Sequence, residues 1–302
     1  MSCMCVLKHE EQVRGQSAME YLMTYGWSIL ILVIVLVAVF QLGILNPNSA
    51  VQAIPAGACQ IIKTPASISL AGQCNNNLPQ FVAYSGNSLN DYIDVNGDFF
   101  SGYSFTINGW VEWNSSVLAS PPILPGNPNH VDLTFIESNS QINFGIRLDQ
   151  FEIQYCGWPC PLSGGSGITG NTWHDMALTW NNQSHALTIF EDGKQIVSTT
   201  AASVNIIENA PIRLAGGTGI GCCNEAMDGL VSNVQVYNTS LSAIEISALY
   251  QEGIGGAPID PTHIVGWWPL NGNAQDYSGN GHDGVQTGIS YTSAWASGYV
   301  QP

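Results

Sequence analysis

The carboxylates are the first residues to test for chemistry, among them the pairs Asp149 with Glu152 and Glu191 with Asp192. A glycan-cutting strand needs acids at alternate positions, Glu-x-Asp-x-Glu, so that they share one face. No such triplet occurs. Asp149 and Glu152 would face opposite sides of a strand, and Glu191-Asp192 sits at a turn. No catalytic residue is expected. Asp94-Val-Asn-Gly-Asp98 offers oxygens at alternate positions but departs from a calcium-loop register, and it reads as a polar turn. The six His are scattered, with His174 and His185 read onto hairpin strands, so neither a metal nor a cofactor is expected. Gly164-Gly-Ser-Gly167 and Gly216-Gly-Thr-Gly219 lack the Lys or helix that a phosphate loop needs. Trp158, Trp267 and Trp268 are candidate platforms for a glycan, with core packing as the competing use.

Eight cysteines are present: Cys3, Cys5, Cys59, Cys74, Cys156, Cys160, Cys222 and Cys223. Proximity favours a Cys59–Cys74 disulfide. The other four would link the Cys156/Cys160 loop to Cys222-Cys223. A four-cysteine zinc site competes, but adjacent Cys222 and Cys223 converge poorly on one tetrahedral ion. Disulfides imply an exported compartment. Asn114, Asn182 and Asn238 open acceptor triplets for N-glycosylation.

Charge narrows the partners. Only 9% of the 302 residues are charged, and 22 acids against 6 Lys plus Arg give a net charge of −16. A nucleic-acid binder displaces counterions with cations, and a peripheral lipid binder uses a basic patch. This chain has neither resource. A 45% hydrophobic content supports a sizeable core rather than disorder. The 32 Gly and 15 Pro point to many turns and short strands, an all-β reading.

The elements that would position these residues begin with a long apolar run. Ile29 to Phe40 is unbroken, and extending it to Leu22 and Leu45 gives 24 uncharged residues. Such a helix would be roughly 36 Å long, enough to cross a bilayer. Pro47 ends it, while Lys8 and Arg14 would hold the preceding end inside. Arg14-Gly15-Gln16-Ser17-Ala18-Met19-Glu20-Tyr21 resembles the class III signal peptide of archaeal type IV pilin-like proteins. The resemblance implies a membrane-embedded prepilin-type peptidase cutting between Gly15 and Gln16. It also places Glu20 at the fifth mature position. A carboxylate near lipid is costly unless paired, so Glu20 would neutralise a neighbouring subunit's new α-amino group and set the register of a homo-oligomer or filament.

From Phe81 the pattern alternates. Phe105, Ile107, Gly109, Val111 and Trp113 share a face, and Trp173 to Trp180 with Ala186 to Phe190 read as a hairpin. Asp192-Gly193 turns into a strand at Gln195 to Val197, and Pro211 to Leu214 and Gly229 to Tyr237 read as further strands. One helix is expected over Leu241 to Glu252, capped by Ser240 and stopped at Gly253. Tyr92 to Val95, Phe105 to Trp113, Trp173-His174 through Lys194, and Met227 to Leu241-Ser242 together resemble the laminin-G-like, concanavalin-A-like jelly roll. Trp267 to Gly284 resembles the segment that usually opens this fold, so Ile264 to Trp295 is expected to supply strands that normally come first.

The sequence therefore predicts a leader over 1–15, a hydrophobic pilin-like helix over 16–45, a disulfide-closed linker over 46–80 and a jelly-roll sandwich over 81–302. The expected function is a single-pass cell-surface protein that presents a head for glycans or other surfaces. A monomeric tethered lectin is the alternative. A secreted glycan hydrolase is disfavoured by the missing acid triplet.

Overall fold

The computed structural model describes residues 23, 25–37, 53–74, 77–86, 90–100, 104–115, 132–138, 142–147, 150–154, 162–164, 168–200, 211–216 and 225–302, and the chain divides into units 1–52 and 53–302. In the first unit, residues 25–37 form a helix, α1, whose side chains are exposed all round, Trp27 and Ile29 to Val37 included. Of the expected helix over 16–45, residues 23 and 25–37 are described and are helical, and the rest of that range lies outside the described residues. Among the described residues no helix is long and apolar enough to cross a membrane.

Two antiparallel-rich sheets form the second unit. One orders β14 (Lys194–Thr200), β13 (Ala186–Glu191), β12 (Trp173–Asn181), β7 (Phe105–Trp113), β17 (Gly229–Tyr237), β5 (Val82–Ser85) and β20 (Ser290–Thr292). β18 (Ile264–Trp268) lies against the second half of β17. The other sheet orders β11 (Leu162–Gly164), β10 (Gln150–Gln154), β9 (Ile142–Arg147), β8 (Asp132–Ser138), β15 (Ile212–Leu214), β6 (Tyr92–Val95) and β19 (Val285–Thr287), with β16 (Glu225–Ala226) beside β8. Ahead of them, β1 (Ala53–Ile54) pairs with β4 (Leu78–Pro79), and β2 (Cys59–Thr64) pairs with β3 (Ser67–Gly72).

Alternation decides the packing. Phe105, Ile107, Val111 and Trp113 of β7 bury inward with Met176, Leu178 and Trp180 of β12 and with Val231, Val234 and Val236 of β17. Ile93, Ile136, Phe144, Ile212 and Leu214 of the other sheet complete that core. Within β17 the alternation survives a bulge after Ser232, where Asn233 takes φ 51°. Its amide then joins three elements. The side-chain N–H donates to Gly256 O (2.9 Å), while Oδ1 accepts from Gln235 Nε2 (3.1 Å) and Trp267 Nε1 (2.8 Å).

Part of the outer face of the first sheet is covered. Helix α2 (Ala243–Glu252) lays Ile246 and Leu249 against Ala177, Phe190, Tyr237 and Trp267. Its N-cap is Ser242, not the expected Ser240. The Ser242 hydroxyl accepts from Glu245 N–H, and the Glu245 carboxylate accepts from Ser242 N–H at 2.7 Å, a reciprocal capping box. Gly253 ends the helix at φ 77°, a conformation that favours glycine.

The expected linker over 46–80 is largely part of the sandwich unit, which begins at Ala53. The β2–β3 hairpin buries Ile61 in the α2 cluster and donates Ile61 N–H to Tyr277 O at 2.9 Å. The Cys59–Cys74 disulfide closes it. The late strands enter both sheets. β18 pairs with β17, β19 with β6, and β20 with β5.

Candidate functional site

One register row crosses the outer face of the first sheet: Trp173, Glu112, Leu230, Tyr84 and Ser290, directly opposite one another on β12, β7, β17, β5 and β20. At the Trp173 end the row is roofed. Trp173 donates its indole N–H to Trp295 O (2.9 Å), and Trp295 packs against Tyr299, which meets Trp110 edge-on. The roof stops at Ala294. Beyond it an open cleft of about 400 Å³ is lined by Tyr84, Glu112, Asn114, Asn171, Leu230 and Thr292, among others.

Glu112 is the unusual member. Its Oε2 is buried with no hydrogen-bond partner among the described residues, and burial pushes the carboxyl up to about 7. Among the described residues no Lys or Arg lines the cleft. Around the acid stand an exposed Tyr84 ring, the apolar Leu230, and the amides of Asn114 and Asn171. Asn171, at φ 58°, is held in place by Ser115: its Oδ1 accepts from Ser115 N–H (3.1 Å) and its Nδ2 donates to Ser115 Oγ (2.8 Å). Asn114 hydrogen-bonds Asp228, whose carboxyl is raised by burial against that bond's lowering effect. The cleft thus combines an aromatic face, amides and one under-satisfied acid, a set able to seat a hydroxyl-rich neutral molecule.

A second polar cluster lies where β12 starts and the Asp192-Gly193 turn closes β13 onto β14. His174 Nδ1 is 3.2 Å from Asp192 Oδ2 and 3.3 Å from Glu191 Oε1. Asp175 N–H donates to Asp192 Oδ1 at 3.0 Å, which fixes the turn carboxylate. Burial alone would lower the His174 pKa, but the adjacent Asp192 and Glu191 outweigh it and raise it. Burial raises Glu191, opposed by His174. Asp175 itself points to the opposite face, fully buried. Desolvation pushes it to about 8 although Asn108 Nδ2 donates to both its oxygens (3.1 and 2.9 Å).

The profile of the concanavalin A-like lectin/glucanases superfamily (Laminin_G_3) matches residues 85–247. The chain belongs to this superfamily. Membership accounts for the two facing sheets. Among solved structures, the superfamily fold recurs in a candidate carbohydrate binding protein from Bacteroides ovatus at TM-score 0.52 and 15% identity. That match covers 76% of this chain and 65% of the Bacteroides chain. A heptameric SAP-like pentraxin from Limulus polyphemus matches at TM-score 0.45 and 12% identity, covering 70% of this chain and 93% of the pentraxin. No curated protein matches.

Several expectations for this superfamily member change in the structure. Trp267 and Trp268 offer no face to a glycan, being 2% and 0% exposed. Their indoles donate inward, to Asn233 Oδ1 and His282 O, both at 2.8 Å. Adjacent strand residues point to opposite faces, but both faces of β18 are covered, so both rings are core. His185 lies in the turn before β13 at φ 56°, not on a strand. His174, read as an isolated strand histidine, meets two carboxylates. Asp94 has both oxygens engaged by Arg213 (2.7 and 3.3 Å), leaving it an ion-pair partner rather than a loop ligand. Asn182 and Asn238 are exposed, and Asn114 is half-buried beside the cleft. Gly15, Gln16, Glu20, Cys156, Trp158, Cys160, Cys222 and Cys223 lie outside the described residues.

Glu112 carried no warning in the sequence beyond being the one acid inside Phe105 to Trp113. A lone acid in an otherwise apolar and amide-bearing strand is the signal that would have found it.

Proposed function

We propose that the chain is a surface-displayed binding protein whose sandwich unit holds neutral glycans in the cleft at Glu112. The observation that carries this reading is the buried, unpartnered Oε2 beside an exposed tyrosine ring. An acceptor left without a donor gains most from a ligand hydroxyl, and Tyr84 gives the sugar's apolar face somewhere to stack. With no cation among the described residues that line the cleft and a chain charge of −16, an acidic sugar would be repelled. The carbohydrate binding described for the Bacteroides ovatus structure agrees with this use of the fold. The reading is of binding rather than cutting, because among the described residues Glu112 has no second carboxylate in the cleft lining to act with it.

The test is a glycan panel probed with the full chain in detergent. Neutral glycans should be retained, with binding lost in Tyr84→Ala and weakened in Glu112→Gln. Retention of acidic glycans alone, or indifference to both substitutions, overturns the reading.

The amino-terminal unit supports display by a pilin-type route. Arg14 to Tyr21 carries the motif of such a leader, and α1 exposes an apolar surface on every side, which water does not stabilise. In this reading a prepilin-type peptidase frees Gln16, the helix packs in lipid or against its copies, and Glu20 pairs with a neighbour's amino terminus. A tethered monomer is the competing form. N-terminal mass spectrometry of the native protein should begin at Gln16; a chain that begins at Met1 refutes the route. Loss of surface filaments in Glu20→Ala, with membrane insertion kept, separates a filament from a lone anchor.

A further inference from the structure

The geometry points to a divalent metal site of the zinc class formed by His174 Nδ1, Glu191 Oε1 and Asp192 Oδ2. These three atoms lie within 4.8 Å of one another, from one strand start and one turn that the sandwich holds together. The two distances to Nδ1, 3.2 and 3.3 Å, are the decisive quantities. Zinc bound to nitrogen and carboxylate oxygen at about 2.0–2.1 Å in a tetrahedron sets ligand atoms about 3.3 Å apart. The two nitrogen–oxygen distances therefore already stand near the edge length such an ion requires.

The hydrogen-bond inventory supplies an independent argument. His174 is 8% exposed and turns Nδ1 towards both carboxylates. A single Nδ1–H cannot point well at two acceptors at once, so one carboxylate oxygen is always poorly served. Nε2 is buried and has no partner among the described residues. The ring can thus keep its proton on Nε2 and present the Nδ1 lone pair to an ion without losing a bond there. Two carboxylates with one neutral imidazole carry a charge that a dication cancels. Asp192 is already oriented for this by the Asp175 N–H on its other oxygen, the kind of outer contact that holds metal ligands in place.

The donor set selects the ion. Calcium and magnesium prefer six or more oxygens, whereas a nitrogen with two carboxylates suits zinc and its neighbours. Three protein ligands leave a fourth position for water, and Glu191 and Asp192 are half-buried rather than sealed. The bound ion would pin the start of β12 to the β13–β14 turn. This site is separate from the glycan cleft, and neither reading depends on the other.

The experiment uses the full chain in detergent, stripped with a chelator and titrated with ZnCl2 by calorimetry and thermal melting. Saturable binding that raises the melting temperature is expected, with calcium giving no such shift. Glu191→Gln and Asp192→Asn, which preserve shape, should each weaken zinc by at least about tenfold while leaving the metal-free melt near that of the parent. Cobalt(II) should give a nitrogen–oxygen spectrum with no thiolate charge-transfer band, which excludes the cysteines as the ligands. Absence of saturable binding, affinity unchanged in both variants, or a thiolate band would each overturn the site.

Discussion

Glu112 holds its proton far longer in the folded chain than in the unfolded one, and this couples the cleft to pH. Its carboxyl is raised from 4.5 to about 7 by burial. A raised folded value means that the stability contribution is complete below the unfolded pKa and is lost as pH climbs towards 7. Urea unfolding at pH 4 to 8 should therefore show a falling limb, and Glu112→Gln should flatten it. One proton limits the slope to about 1.4 kcal/mol per pH unit, and partial exposure brings it lower. A variant with the parent's slope would show that another group carries the dependence. Asp175 shares the sign, and its burial against Asn108 makes Asn108→Ala a destabilising change of about 1–3 kcal/mol, measurable by the same melts. Neither acid could be ranked from its own neighbours in the chain. What surrounds Glu112 comes from β17, β5 and β20, and what surrounds His174 comes from a turn after the next strand. The types were visible, but the distances that give them meaning are tertiary.

Helix α2 and the β2–β3 hairpin act as covers, and each has a single device that can be removed. Ser242→Ala takes away the hydroxyl that accepts from Glu245 N–H. The expected loss is about 1 kcal/mol, read as a shifted denaturation midpoint with unchanged slope. Ser240→Ala, with no part in the cap, should be near neutral. Both serines precede the apolar run, and only Ser242 has Glu three residues on, the reciprocal capping signature that decides between them. The hairpin depends on Cys59–Cys74. Removing a bridge across 15 residues should cost about 3 kcal/mol if the reduced chain gains the full freedom of an open loop. Reducing and non-reducing melts of Cys59→Ser beside the parent measure it. Here spacing alone named the pair. Spacing did not show that the hairpin belongs to the sandwich, because that depends on Ile61 meeting the α2 cluster and Tyr277, both far along the chain.

Alternating strands made the sandwich legible, and the stretch Ile264 to Trp295, expected to supply strands that normally come first, contributes β18, β19 and β20. Register and neighbours were not legible, since periodicity names faces but not partners. β19 and β20 are the consequence most open to test. A chain ended after Gly284 exposes β6 and β5 as free edges and strips Trp295 from Trp173. It should elute as aggregate or exchange its β5 and β6 amides rapidly, whereas the parent stays protected. An unchanged exchange pattern would mean that those strands contribute little.

The pairing of Tyr84 with Ser290 also imposes a timetable on biogenesis. Ribosomes add about 5–20 residues each second, so β5 waits at least about ten seconds for the strand that shields it. Throughout that interval the nascent polypeptide carries an unshielded edge. Export machinery or a holding chaperone that engages the chain before Thr292 is made would find it still open and threadable.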